Sequence, residues 1–304
     1  LGVCVSIAIY LSFRSDIFRR RAIIGVFIFG YTTVFYMFNF KFLADKMFYQ
    51  PNKISFADSL ENKITHDKLI IGVEMNGYAK AYPIQLIGYH HQVRDSVGGE
   101  PIMVTYCTVC RTGRVFSPNV NGKNENFRLV GMDHFNAMFE DATTKSWWRQ
   151  VSGEAITGPL KGVRLSEIPS RQLRLSSWIK LHPNTLILQP DSSYTSDYDD
   201  LAKFDDGTIK SGLEKRDSIS WKDKSWVIGV KSGRYSKAFD WNELISKKII
   251  QDSFPSFPYM IVIEKDKASF HAYNRKIEET ILHFQNNDDG LTDTETASKW
   301  DVYG

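Results

Sequence analysis

Cysteine is scarce. Of the three in 304 residues, Cys4 lies in a hydrophobic N-terminal stretch, so only Cys107 and Cys110 can work as a pair. Net charge is also small, at +3 from 38 basic and 35 acidic residues, and no basic stripe gives the chain a footprint for nucleic acid. The one dense cationic cluster, Arg19-Arg20-Arg21, sits between hydrophobic segments, where it reads as a topology signal. No signal for an organic cofactor is present.

What the chain does have is a long apolar run. Ala22–Leu43 carries a single charge, Lys41, and about 20 such residues span a bilayer core. Leu1–Phe13 is apolar but short and does not begin with methionine, so it is read as the visible end of a longer helix. Residues 1–47 are therefore expected to form a membrane anchor with two transmembrane segments, 1–13 and 22–43. A cleaved signal peptide is the alternative, but 22–43 is longer than a usual signal core and lacks a small-residue cleavage site. Arg14, Arg19, Arg20 and Arg21 outweigh Lys41 and Lys46, which predicts that the body from about Phe48 is extracytoplasmic, periplasmic in a Gram-negative cell.

The body resembles itself. Ile71-Gly72-Val73, Tyr78, Lys80, Ala81, Asp95, Ser96, Pro101 and Met103 recur, at one constant shift, as Ile228-Gly229-Val230, Tyr235, Lys237, Ala238, Asp252, Ser253, Pro258 and Met260. The pattern D-x-x-T-x-S-x-W appears as Asp141, Thr144, Ser146, Trp148 and again as Asp293, Thr296, Ser298, Trp300. The expectation is two tandem copies of a related β-rich unit behind the anchor, at 48–190 and 215–304. Residues 191–214, polar and without apolar periodicity, are expected to be a solvated linker or lid. LIIGVEM and YAKAYP flank Asn76-Gly77, a hairpin signal, and WVIGVKS and YSKAF repeat it. PIQLIGYHH suits a short helix, while PIMVTYC, RVFSP and NFRLVGM suit strands, which gives a β-dominated α+β fold.

Cys107-Thr108-Val109-Cys110 is the candidate chemical site. RVFSP follows it rather than a helix, so the pair is placed in a tight strand-to-strand turn. Three readings are open: a metal knuckle, a structural disulfide and a thiol redox pair. A metal needs further ligands, and His90 or His91 precedes the pair closely enough to supply one; on an extended segment only one of the two would point inward. Met103 shares a strand face with Thr105 and Cys107 and is either a soft ligand or core packing. Two thiolates, an imidazole and a thioether favour copper(I); a water as fourth ligand suits zinc. The repeat supplies a control, because Cys107 and Cys110 fall on Glu264 and Lys267, and His90 and His91 on Lys247 and Lys248. Shared positions, the D-x-x-T-x-S-x-W motif included, are then scaffold, a catalytic Asp being the alternative. His134, His182 and His271 are read as structural or surface residues without clear partners.

The chain is similar to domain-of-unknown-function family 3179, whose members are exported or membrane-associated bacterial proteins. The resemblance rests on Ala81–Pro83 (AYP), the spacing of His90 and Asp95, VTYCTVCRTGRVF at 104–116, D-x-x-T-x-S-x-W, GEAITGPLKGVRL at 153–165 and HPNTLIL at 182–188. It implies His90 rather than His91 as the histidine of the site. The family shows Cys-Pro-Leu-Cys, so Thr108 and Val109 depart from it, and it has Glu where His91 stands. The second copy stops before the Gly-rich stretch that follows the first copy's Trp motif, so it is expected to be incomplete.

Three functions compete. The first is an extracytoplasmic carrier of copper or zinc, or a metalloenzyme assembly factor, using Cys107, Cys110 and His90. The others are a thiol-disulfide oxidoreductase on the same cysteines, and a noncatalytic subunit of a larger membrane complex. Membrane lipid is the one partner the anchor itself implies.

Overall fold

The computed structural model describes residues 6, 7, 9–11, 13, 17–255, 257–287 and 290–304. Helix α1 (Phe18–Tyr36) continues into a π-helical turn, Met37–Lys41, and within it Arg20–Lys41 has 22 residues with a mean hydropathy of 1.6. At 1.5 Å per residue this is about 33 Å, enough to cross a hydrocarbon core. Val26, Phe27 and Phe29 are exposed, and the polar side chains bond back into the helix, Thr32 and Thr33 to the carbonyls of Ile28 and Phe29. Such a helix suits a membrane anchor or a signal sequence. Much of the expected first span, 1–13, lies outside the described residues, as does Arg14.

The first half begins with the expected hairpin. Strands β1 (Leu69–Met75) and β2 (Tyr78–Pro83) join through Asn76 and Gly77, at φ of 52° and 78°, the left-handed pair a tight turn requires. Helix α2 (Ile84–His90) ends where His91 takes a φ of 61°, and β3 (Gln92–Val97), β4 (Glu100–Cys107) and β5 (Thr112–Phe116) form an antiparallel sheet. A meander follows: β6 (Phe127–Asp133), β7 (Asn136–Asp141), β8 (Trp147–Arg149) and β9 (Glu154–Thr157). The chain then returns to complete the first sheet. Strand β10 (Arg171–Arg174) pairs with β1, helix α3 (Leu175–Leu181) crosses over, and β11 (Leu186–Leu188) runs parallel to β2.

Residues 191–214 are not a solvated linker. They include α4 (Thr195–Asp200), and Tyr194, Tyr198, Phe204 and Ile209 are buried in the same core as Tyr82, Ile87 and Tyr106. The aromatic side chains supply the apolar area that the polar residues between them conceal in the sequence.

The second half is also built mainly of strands. Hairpin β12 (Val227–Ser232) and β13 (Tyr235–Asp240) leads to α5 (Trp241–Lys247), which ends at left-handed Lys248 (φ 65°). Next come β14 (Ile249–Phe254), β15 (Phe257–Ile263) and β16 (Phe270–Asn274), then β17 (Phe284–Asn287), β18 (Gly290–Asp293) and β19 (Lys299–Trp300). The fold is thus β-dominated, with few helices besides the apolar one. Lys80 reaches Asp95 at 2.7 Å between β2 and β3, and Lys237 pairs with Asp252 at the matching place.

The Trp motif is the clearest shared structure. Asp141, fully buried, accepts hydrogen bonds from the Thr144 amide (2.5 Å) and hydroxyl (2.7 Å), the Ser146 amide (3.1 Å) and the Trp148 indole (2.9 Å). Asp293 accepts the same set from Thr296, Ser298 and Trp300. Both oxygens of each carboxylate are committed to holding a turn, which makes the motif a scaffold.

Candidate thiol site at the wall of a cleft

Strand β4 ends at Cys107 and β5 starts at Thr112, so the cysteines occupy a strand-to-strand turn. Arg111 takes a φ of 51° there, an uncommon choice for a residue with a side chain. Its guanidinium explains how the turn is held. It donates to the carbonyls of Phe204 (2.9 Å) and Asp205 (2.7 Å) and lies 3.7 Å from the Trp226 ring, whose ring Arg216 also approaches, at 4.4 Å.

The turn aims both sulfurs the same way. Cys107 Sγ lies 3.3 Å from Cys110 Sγ, with Cys107 buried and Cys110 half-buried. A carbonyl faces both: Phe135 O is 3.4 Å from Cys107 Sγ and 3.1 Å from Cys110 Sγ. It arrives on the β6–β7 turn, where His134 and Phe135 are both left-handed, at φ of 48° and 65°. Asn136 Nδ2 is 3.5 Å from Cys110 Sγ, and the amide is held by Gln150, which itself bonds the Thr105 hydroxyl and the Thr112 carbonyl. Nothing in the sequence marks Asn136 or Gln150 beyond their being amides, and both are buried by the fold.

The two thiols differ in acidity. The Cys107 thiol donates to Cys110 and, with the Asn136 amide and the nearby charge of Lys224, lowers the Cys110 pKa to about 6 against the opposing effect of burial. Cys107 moves the other way, because it keeps the proton that Cys110 needs and lies deeper in the protein.

His90 stands elsewhere. It ends α2, where Nδ1 lies 2.5 Å from the Tyr49 carbonyl and Nε2 2.7 Å from the Tyr198 hydroxyl, among the rings of Tyr89 and Tyr194. Burial lowers its pKa and favours the neutral ring. The sequence places it alongside the cysteines, whereas in the fold both of its nitrogens are engaged with Tyr49 and Tyr198. His91 packs on Phe48 at 4.6 Å and bonds the Tyr89 carbonyl. Met103 is buried with Cys107, Phe116 and Trp148, in the core role weighed for it. Among the described residues no group of three or more His, Cys, Asp or Glu side chains is arranged to hold a metal ion.

The remaining histidines are structural or superficial. His134 is exposed beside Asp133, and His182 packs on Trp178 at 4.0 Å. His271 does have a partner: it pairs with buried Glu264 at 2.9 Å. Glu264 occupies the repeat position of Cys107, accepts from Ser177 of α3 at 2.8 Å, and so ties the two halves together.

Between the halves lies a cleft of about 1440 Å³. Cys110, Arg111 and Gly72 stand on one side, Trp226, Gly229 and Phe270 on the other. The cysteine turn therefore opens into a cleft large enough for a polypeptide segment.

No curated protein and no solved structure matches the chain. The model of a family described as "Protein of unknown function (DUF3179)" matches residues 49–304, which include both halves and the cysteine turn. The chain belongs to that family.

Proposed function

We propose that the protein is a membrane-anchored thiol-disulfide oxidoreductase whose active pair is Cys110, the attacking thiolate, and Cys107, the resolving thiol. The observation that carries this reading is the asymmetry of the pair: a half-buried Cys110 at the cleft wall receives a hydrogen bond from a buried Cys107 at 3.3 Å. Cys110 attacks one sulfur of a substrate disulfide, forming a mixed disulfide, and the departing sulfur takes a proton. Cys107 then loses its proton and attacks Cys110 Sγ, releasing the second substrate thiol and leaving the protein oxidised. Closing 3.3 Å to the roughly 2.05 Å of a disulfide needs only local movement of the turn. An external dithiol resets the pair, and the sequence reverses for a substrate that is to be oxidised.

The rest of the reading follows from the sequence. The two halves are tandem copies of one unit, of which only the first carries the chemistry. The body faces the extracytoplasmic side, where an unpaired dithiol persists only with a reductant or a metal. As a metal site the turn offers two thiolates and one carbonyl, a set that suits copper(I) but falls short of the four ligands of structural zinc. His90 would have to abandon two hydrogen bonds to join it.

The test is anaerobic purification followed by thiol titration and elemental analysis. A metal-free protein with two titratable thiols that reduces hydroxyethyl disulfide supports the proposal. Near-stoichiometric copper or zinc that disappears in Cys107→Ser and Cys110→Ser supports a carrier instead. A metal-free pair that stays oxidised under strong reductant leaves a structural staple and the accessory-subunit reading.

A further inference from the structure

The two glycines at the matching place of each hairpin meet different surroundings. A Cβ on Gly72 of β1 would come within 2.5 Å of the Trp178 ring, so glycine is required for α3 to seat its indole on the sheet. Gly229 is its counterpart in β12, yet a Cβ there would meet nothing within 4 Å. The edges differ in the same sense. Strand β1 is paired on both sides, by β2 and β10, whereas β12 pairs with β13 alone. Gly72 is buried and Gly229 exposed, and Val227 and Tyr235 keep 46% and 37% of their surface in solvent.

We propose that this open hairpin docks an extended segment of a partner polypeptide, added as a strand along β12 with an aromatic side chain seated on Gly229. The covering of β1 by β10 and Trp178 shows what the surface fits. Charge sets the chemistry of the occupant further. Lys231 and Arg234 lie on the hairpin without a carboxylate ion-pair partner among the described residues, while Arg114 and Lys237, which border the same surface, are already paired with Glu167 and Asp252. The segment is therefore acidic as well as aromatic. Gly229 and Cys110 line one cleft, so a strand held on β12 is presented to the thiolate; this role as substrate platform rests on the thiol reading.

Fluorescence anisotropy of the full chain in detergent tests the docking without any thiol. The probe is a fluorescein-labelled peptide of alternating valine and glutamate with one central tryptophan and no cysteine. Expected are saturable binding, a loss of about tenfold when the tryptophan becomes alanine, and a loss of about tenfold in Gly229→Val. That variant fills open space on a strand and should unfold at the wild-type temperature, so weaker binding cannot be blamed on misfolding. Equal binding of the tryptophan and alanine peptides, or an unchanged Gly229→Val, overturns the inference. So does a dimer in sedimentation that Gly229→Val dissociates, which assigns the seat to a second copy. Binding with no turnover of hydroxyethyl disulfide keeps the docking surface and removes the thiol reading; turnover without selective binding does the reverse.

Discussion

Replacing Cys107 removes the principal donor that keeps Cys110 ionised, and the consequence can be worked out across pH. With a pKa of about 6, Cys110 is roughly nine-tenths thiolate at pH 7; at the ordinary value of 9.0 it would be about one-hundredth. The reaction rate changes less than that ratio, because a more basic thiolate is a better nucleophile. With a Brønsted slope near 0.45, three units of basicity return about 20-fold. Cys107→Ala should therefore alkylate with iodoacetamide about fourfold more slowly at pH 7, yet about 20-fold faster at pH 10, if the shift is lost entirely. The Asn136 amide and Lys224 remain, so these figures are upper limits. Cys107→Ser, whose hydroxyl still donates, should fall between the wild type and alanine. Mass spectrometry of the peptide bearing Cys110, at pH 5 to 10, gives each midpoint. A Cys107→Ala midpoint at or below that of the wild type would refute the claim that Cys107 sets the acidity of its neighbour.

Three further outcomes follow from the scaffold. Asp141→Ala strands the Thr144 and Ser146 amides and the Trp148 indole in the core and should cost about 3 kcal/mol in urea unfolding, while Asp141→Asn, able to accept on one oxygen only, should cost less. Gly72→Ala forces Cβ against Trp178 and should cost about 1–3 kcal/mol in the same assay; an unchanged midpoint would mean that the indole is not seated there. Asp141 and Asp293 are held below the usual carboxylate range by their bonds within the motif, against burial, Asp293 at about 2. A depressed acid stabilises the fold above its unfolded pKa near 3.8 and ceases to do so as pH falls through the folded value. Indole fluorescence should therefore report loss of the motif in the second half between about pH 4 and pH 2, and Asp293→Asn should flatten that transition.

Local chemistry was legible in the sequence where a residue's backbone demand was unusual. Asn76-Gly77 marked the first hairpin, and Cys107–Cys110 followed by RVFSP marked a turn between strands; both are present. Placement across the fold was not. His90 looked available to the cysteines because sequence distance says nothing of direction, and the last turn of α2 points it at Tyr49 and Tyr198. Tyr194, Tyr198 and Phe204 were hidden in a polar stretch because three aromatic rings need no periodic neighbours to fill a core. Arg111 was visible only as a letter after Cys110; that its charge would close a turn against Trp226 depends on a contact made more than 100 residues away.

The tie between Ser177 and Glu264 limits how the cleft can be reached. Arg111 on Trp226 fastens its two walls at one point, and Ser177 on Glu264, with the Ser269 hydroxyl accepting from the Arg174 amide, fastens them at another. Parting the walls breaks both sets of contacts together. If the cleft takes a polypeptide as proposed, the segment enters lengthwise between these contacts, and the rate of capture should depend on how extended the incoming chain already is.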